Sequence, residues 1–527
     1  MKFSMTKGLL LASAVLIMPV AAHAQPTTDQ QMAEPPADAP SPDDASLQTV
    51  SDAEAKATDA DAKMALLQAQ IEAMQAQLDE VKKTQAKNAP VWKGAPSFSD
   101  PDTGWSFKPK GVLQFDAGYV SLPRGSTATV AAGNGFAYGA GALTTNNLGW
   151  NMRARRLIIG AEGSAPAGFG YKFELELSQA GVNYEDMVIT WQKPGSPVLL
   201  TIGHHYPLSS LELLTSNRFT SFTERAGMTD AFGYGRRLGL SASYTSTKAP
   251  FMVAAGIWGK DIGESPATFT NNTWQASARA AYAPWIGPVQ AHFGVNFQYR
   301  TNSTAAQDTR YRMRPYTQIT DQRFVDTGNI ASKGDEILGG ELAFIYKSFH
   351  FAGEFQYAWV RGINNPAAVL GLNNTAAPAR FPISDPKFNS GYAEVGYFLT
   401  GETRGYKGFK WDRTKVLHPI DQGGMGAFQI NARYDRTDLS DVVGNLPVTA
   451  ANTYTAASNY INGGVQTGYE ASLIWLPMDY VKFVAQYART HVKGGPFGAS
   501  VLTSTPSTNL EQGFNVDAVT VRAQLDF

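Results

Sequence analysis

The 527-residue chain contains no cysteine, which removes disulfides and thiol chemistry from consideration. Beyond an apolar run that ends near Val20, it has no stretch approaching the length that a membrane helix requires. Strong net charge is missing too. The formal sum is −1, so no nucleic-acid partner is expected. Overall hydrophobic content, 43%, is ordinary, yet Gly (50), Tyr (22) and Trp (10) are plentiful. A membrane protein that crosses with strands hides in such a composition, because only every second residue faces lipid.

The first ninety residues divide by composition. Lys2 and Lys7, the apolar run from Gly8 to Val20, and Ala22-His23-Ala24 form a secretory signal over residues 1–24, so the mature chain is expected from Gln25, outside the cytoplasm. Residues 25–46 are rich in Pro, Ala and acids and have nothing to bury, as in a disordered tether. Over 47–87, Val50, Ala53, Ala57, Ala60, Met64, Leu67, Ile71, Met74, Leu78 and Val81 recur at spacings of three and four. That seam predicts a coiled-coil helix joining subunits. Residues 25–90 hold twelve acidic and five basic side chains, and the signal holds two lysines; the remaining 91–527 therefore carry +4.

The last stretch organises the rest. From Asn515 to Phe527, Val519, Val521, Ala523, Leu525 and Phe527 share one face of a strand, while Thr520, Arg522, Gln524 and Asp526 share the other. Such a strand suits a soluble sheet with one wet face, or a transmembrane barrel with lipid outside and water inside. The rest of the chain decides between them. Sixteen alternating segments can be marked from 106–120 to 515–527, among them 169–180, 231–246, 423–437 and 467–476. Their connections alternate between short turns and long loops, as a barrel with both termini at one end demands. The connection near Ala180 and the long 403–422 break that rule. Tyr119, Tyr434, Tyr469, Trp475 and Tyr487 lie near strand ends, where interfacial aromatic girdles belong. The expected fold is all-β: a 16-stranded antiparallel transmembrane β-barrel over 91–527 in a Gram-negative outer membrane, with the N-terminal segment in the periplasm.

Three stretches stand out: Leu200–Ser216 (LTIGHHYPLSSLELLTS) with Phe222–Arg225 and Gly235–Gly239; Gly396–Arg404 (GYFLTGETR) with Gly423–Tyr434; and the arginine-rich Arg153–Gly163 (RARRLIIGAEG). Together they resemble the phosphate-selective porin O and P family. The resemblance covers roughly 106–527. It implies a homotrimer of barrels, each narrowed by a third loop folded inward, and passive diffusion of small hydrophilic solutes, with anions and phosphate or polyphosphate preferred. Arg153, Arg155, Arg156, Arg218, Arg225, Arg236 and Arg237 are then the expected anion site, since a planar guanidinium grips two oxygens and stays charged. Arg310, Arg312 and Arg314 would collect anions, or lipopolysaccharide phosphates, at the mouth. The same arginines could instead pair with Glu212 and Glu224 to hold the loop down. Acids at inward positions (Asp116, Glu174, Glu176, Glu394, Asp435, Glu470) leave a general or cation-preferring porin as the alternative.

Other chemistry has less to stand on. The histidines beyond the signal (His204, His205, His292, His350, His418, His491) show no nucleophile-and-base spacing for an outer-membrane hydrolase. The adjacent pair His204 and His205 points to opposite faces of a strand, which disfavours a shared metal. The Gly-rich runs 131–135 and 139–141 lack the strand-to-helix setting of a phosphate cradle. A purely structural tether would be a third class. No cofactor, covalent step or energy source is implied.

Overall fold

The computed structural model describes residues 45–88, 90–121, 148–178, 181–263, 273–302, 308–363, 382, 384–444, 458–495 and 513–527. The signal, most of the tether and both Gly-rich runs lie outside them. The chain separates into two compact units, Met1–Thr84 and Gln85–Phe527. The first contains most of helix α1 (Ala45–Asn88), on which Met64, Leu67, Ile71, Met74, Leu78 and Val81 are exposed.

The second unit begins with a hairpin of two short strands, Val91–Lys93 and Ala95–Ser99, turning at Gly94. Sixteen strands of eight or more residues follow. They are β1 (Ser106–Val120), β2 (Gly149–Ala165), β3 (Phe169–Glu176), β4 (Asn183–Trp191), β5 (Val198–His205), β6 (Arg237–Thr245), β7 (Phe251–Trp258) and β8 (Gln275–Tyr282). Then come β9 (Val289–Thr301), β10 (Ile330–Tyr346), β11 (Phe349–Gly362), β12 (Lys387–Phe398), β13 (Ala427–Gly444), β14 (Ser458–Met478), β15 (Val481–Lys493) and β16 (Gly513–Asp526). Each pairs antiparallel with the next, and β16 returns to β1 from Val112↔Asp526 to Val120↔Ala518, closing the barrel. Closure leaves no strand edge unpaired.

All sixteen expected segments are strands, and the differences sit at their ends. Residues 231–236 are not strand, because a short helix occupies Gly227–Ala231 before β6 starts at Arg237. Strands β13 and β14 run well past the expected 437 and 467, pairing out to Gly444↔Ser458. Alternation fades there, which is why the sequence reads as loop.

The faces are inverted relative to a soluble sheet. On β16 the apolar Val519, Val521 and Leu525 are 42–48% exposed, while Thr520, Arg522, Gln524 and Asp526 are 1–4% exposed. The greasy side therefore faces out and the polar side lies within, as a lipid-facing barrel requires. Tyr119, Tyr434, Tyr469 and Tyr487 are on the exposed face. At the seam Phe527 exchanges backbone hydrogen bonds with Gly111 (3.0 and 3.2 Å).

Candidate functional site

Residues 206–236, the connection from β5 to β6, are held by inward side chains of β11 to β16. A four-residue helix, α2 (Leu211–Leu214), starts where the Ser210 hydroxyl caps the Leu213 amide. The Glu354 carboxylate on β11 accepts the Leu211 and Glu212 amides at 2.8 and 2.7 Å. Next, Gln486 on β15 accepts both the amide and the hydroxyl of Thr223 (2.7 Å each). Helix α3 (Gly227–Ala231) begins on the Asp435 carboxylate, which accepts the Gly227 amide at 2.7 Å. A Cβ at Gly227 would fall 2.4 Å from Met313 Cε and 2.8 Å from Asp435 Oδ1, so any larger residue would have to displace those side-chain tips.

Arg433 on β13 is the hub of this anchor. Fully buried, it pairs with Glu394 (2.7 Å), Glu212 (3.2 Å) and Glu470 (3.7 Å) and stacks on Phe222 at 4.1 Å. Arg522 does similar work on β16, bridging Asp116 and Glu224 and donating to the Thr223 carbonyl. Inward acids that look like an obstacle to an anion path are thus largely committed to ion pairs that hold the loop.

With the loop fastened on that side, space remains beside β1 to β6. One cavity of about 220 Å³ lies between the loop and residues 313–318, and a second, of about 300 Å³, lies toward the end of the barrel that carries Ser106. Tyr206, Leu213 and Arg225 line both, which places them at the neck. The larger cavity is lined by seven cations (Lys110, Arg156, Lys172, Arg218, Arg225, Arg236, Lys410) and five carboxylates (Glu162, Glu174, Glu185, Asp186, Asp412). The smaller has Arg155, Arg225 and Arg314 against Glu224 and Asp230.

Strand parity would send Arg155 and Arg156 to opposite faces. A bulge between Gln114 and Phe115 leaves Arg155 as the extra residue of β2, so both adjacent arginines reach inward. Arg155 grips Glu224 with two hydrogen bonds (2.7 and 2.9 Å). Burial alone would raise the Glu224 carboxyl; the Arg155 and Arg522 guanidiniums outweigh it and hold it at about 2. Arg156 pairs with Glu176 (3.3 Å) and Glu185. Arg236 pairs with Glu185 and Asp186 and lies over the Tyr206 ring at 4.2 Å.

Arg225 differs from these. It donates to the Glu212 carbonyl at 3.0 Å and the Thr215 carbonyl at 2.6 Å, and among the described residues no carboxylate pairs with it. Arg218 donates to Ser216 and lies 3.7 Å from Asp526. The remaining expected residues stand apart from the neck. Arg153 donates to the Gln318 carbonyl (2.6 Å), and Arg237 donates to the Gly259 carbonyl and stacks on Tyr234 at 4.2 Å; neither lines the two cavities. In the group expected at the mouth, Arg310 clasps Asp326, Arg314 pairs with Asp321 (3.2 Å) and Asp230 (3.7 Å), and Arg312 is exposed.

Two further segments enter the polar interior. Residues 308–329 bring Tyr316 to Asp435 (3.1 Å) and Thr317 to Thr520 (3.0 Å). Residues 399–426, the long connection that breaks the turn rule, form a small hairpin from Tyr406–Lys407 to Lys410–Trp411. Its Tyr406 hydroxyl meets His292 at 2.6 Å, and its Trp411 amide donates to Thr215. Lys410 thereby reaches the larger cavity with no ion pair among the described residues, and burial lowers its pKa. Lys110 and Lys172 could have been found from strand parity; Lys410 had no such signal. Among the described residues no cluster suited to a metal ion is present.

Among solved structures the fold is similar to the outer membrane channel DcaP of Acinetobacter baumannii (12% identity, 82% of this chain and 99% of that one, TM-score 0.43). It is also similar to an anion-selective porin from Comamonas acidovorans (12% identity, 80% and 100%, TM-score 0.44). In sequence the chain is 34% identical to an uncharacterized protein of Caulobacter vibrioides over 455 residues, 85% of this chain and 79% of that one. It is 27% identical to Porin O of Pseudomonas aeruginosa over 351 residues, 64% and 75% respectively. The family model for phosphate-selective porin O and P matches residues 132–527. A closed sixteen-stranded barrel, greasy outside and polar within, joined to that match over most of its length, makes this chain an outer-membrane porin of the phosphate-selective porin O and P family.

Proposed function

We propose that the pore prefers small anions, phosphate and short polyphosphate among them, and passes them by passive diffusion. The single observation that carries this reading is that Arg225, which lines both cavities, and Lys410, which lines the larger, form no carboxylate ion pair among the described residues, while the other lining arginines are paired. Most arginines there are paired, so the attraction comes from the few charges left over. Arg155, Arg156, Arg218 and Arg236 shape the wall, while Arg225 and Lys410 supply net field. In a narrow neck a permeating ion passes within a few ångströms of such charges, where even water leaves about 1 kcal/mol of interaction. The backbone carbonyls that hold Arg225 fix its position without cancelling its charge.

The functional assembly in this proposal is a homotrimer, with the N-terminal segment in the periplasm and the exposed seam of α1 wound against its copies. Arg312, with Arg310 and Arg314, faces outer lipopolysaccharide or incoming anions. The test is single-channel chloride current in a planar bilayer titrated with phosphate. Block by phosphate, weakened in an Arg225→Gln variant, supports the proposal. Unblocked current points instead to a general porin, the reading that the paired wall charges favour.

A further inference from the structure

A third and smaller cavity, of about 30 Å³, adjoins the larger one, with which it shares Arg218, Phe219 and Asp412. It is walled by residues 218–220, by 404–414 and by inward side chains of β13 to β16. Two cations that the proposed pore does not use, Arg404 and Lys482, line it, and each is 6% exposed. Neither forms an ion pair with a carboxylate among the described residues. The Arg404 guanidinium donates through Nη2 to the Phe219 carbonyl, while its buried Nε–H has no partner. The Lys482 ammonium gives two of its three N–H bonds to the carbonyls of Thr220 (2.6 Å) and Arg218 (3.3 Å). The Thr414 hydroxyl oxygen accepts the Gly405 amide at 3.1 Å, which leaves its O–H free to donate.

The carboxylates in this wall are occupied or distant. Asp526 accepts from Arg413 and Gln524, and Asp479 accepts the Val416 amide at 2.8 Å. Asp412 lines the cavity without pairing with either cation. Four cations (Arg218, Arg404, Arg413, Lys482) line the cavity with these three acids, and Glu394 acts on Arg404 and Lys482 from beyond ion-pair distance, so the two nearly buried cations lack a carboxylate in contact.

We infer that this cavity holds a bound monoatomic anion, a chloride in the cell. Its size admits one or two water-sized spheres, enough for a single such ion. The donors offered are the Arg404 Nε–H, the third Lys482 N–H and the Thr414 O–H. The ion ties residues 218–220 of the pore-lining loop to β15 and to the 399–426 segment, and so serves as a structural anchor separate from any permeating anion.

The test uses the full-length protein in detergent, with bromide as the probe. In crystals grown in bromide, an anomalous peak is expected between Arg404, Lys482 and Thr414. In solution, replacing gluconate by chloride at constant ionic strength should raise Tm by several degrees. Thr414→Asp supplies a fixed carboxylate and should abolish both the peak and the chloride dependence while the protein folds normally. Lys482→Met should lose the peak as well. A bromide peak only near Arg225 or Lys410, or a chloride response unchanged in Thr414→Asp, would overturn the inference.

Discussion

Arg225→Gln removes the positive charge shared by both cavities while retaining a side chain able to donate to the Glu212 or Thr215 carbonyl. In a water-filled neck, a unit charge about 4 Å from a permeating ion is worth about 1 kcal/mol. That corresponds to about a fivefold loss of anion occupancy and a similar gain for cations, so the anion-to-cation permeability ratio should fall by about 25-fold at low salt. Added salt should shrink the difference, because the Debye length falls to about 8 Å at 0.15 M. The assay is the reversal potential of purified protein in a planar bilayer under a KCl gradient. The double variant Arg155→Ala with Glu224→Gln is the control, since it deletes an opposite-charge pair and leaves the local sum unchanged. A reversal potential unmoved by Arg225→Gln, or moved as far by the control, would exclude Arg225 as the source of the anion preference.

Other consequences concern stability and pH. Arg433→Met leaves Glu212, Glu394 and Glu470 without their shared partner and should cost about 3–5 kcal/mol in urea unfolding, with the 206–236 loop becoming sensitive to trypsin; a loss below about 1 kcal/mol would contradict its role as hub. Because burial lowers the Lys410 pKa, its charge disappears as pH rises through that lowered value, before an ordinary lysine titrates. Anion preference should therefore decline at an alkaline pH below the usual lysine range, and Lys410→Met should flatten that decline. Gly111→Val drives a side chain into the Phe527 ring at the seam and should destabilise the barrel by about 1–3 kcal/mol, with relief in a Gly111→Val, Phe527→Ala double variant measured by the same unfolding assay.

The barrel was legible because a lipid-facing strand writes its alternation locally, and Leu113 to Tyr119 or Val519 to Phe527 can be read without knowing any partner. The site was legible only in part. Ion pairs such as Arg155 with Glu224 or Arg433 with Glu212 join residues far apart in the chain, so charge compensation leaves no local pattern. The bulge that turns Arg155 inward is equally silent, since it exists in the register between β1 and β2. The long connection 403–422 did announce itself by breaking the turn rule. Its meaning came from contacts with His292, Thr215 and Asp526, which place the segment among the inward side chains and deliver Lys410 to the cavity.

Anion preference in this pore requires net positive charge at the neck, and the reversal potential of the unmodified protein under a KCl gradient reads that charge. Anion preference, with chloride current that falls as phosphate is added, is the predicted result. A potential of cation sign would contradict it, because no arrangement of Arg225 and Lys410 as free cations beside paired walls produces that sign.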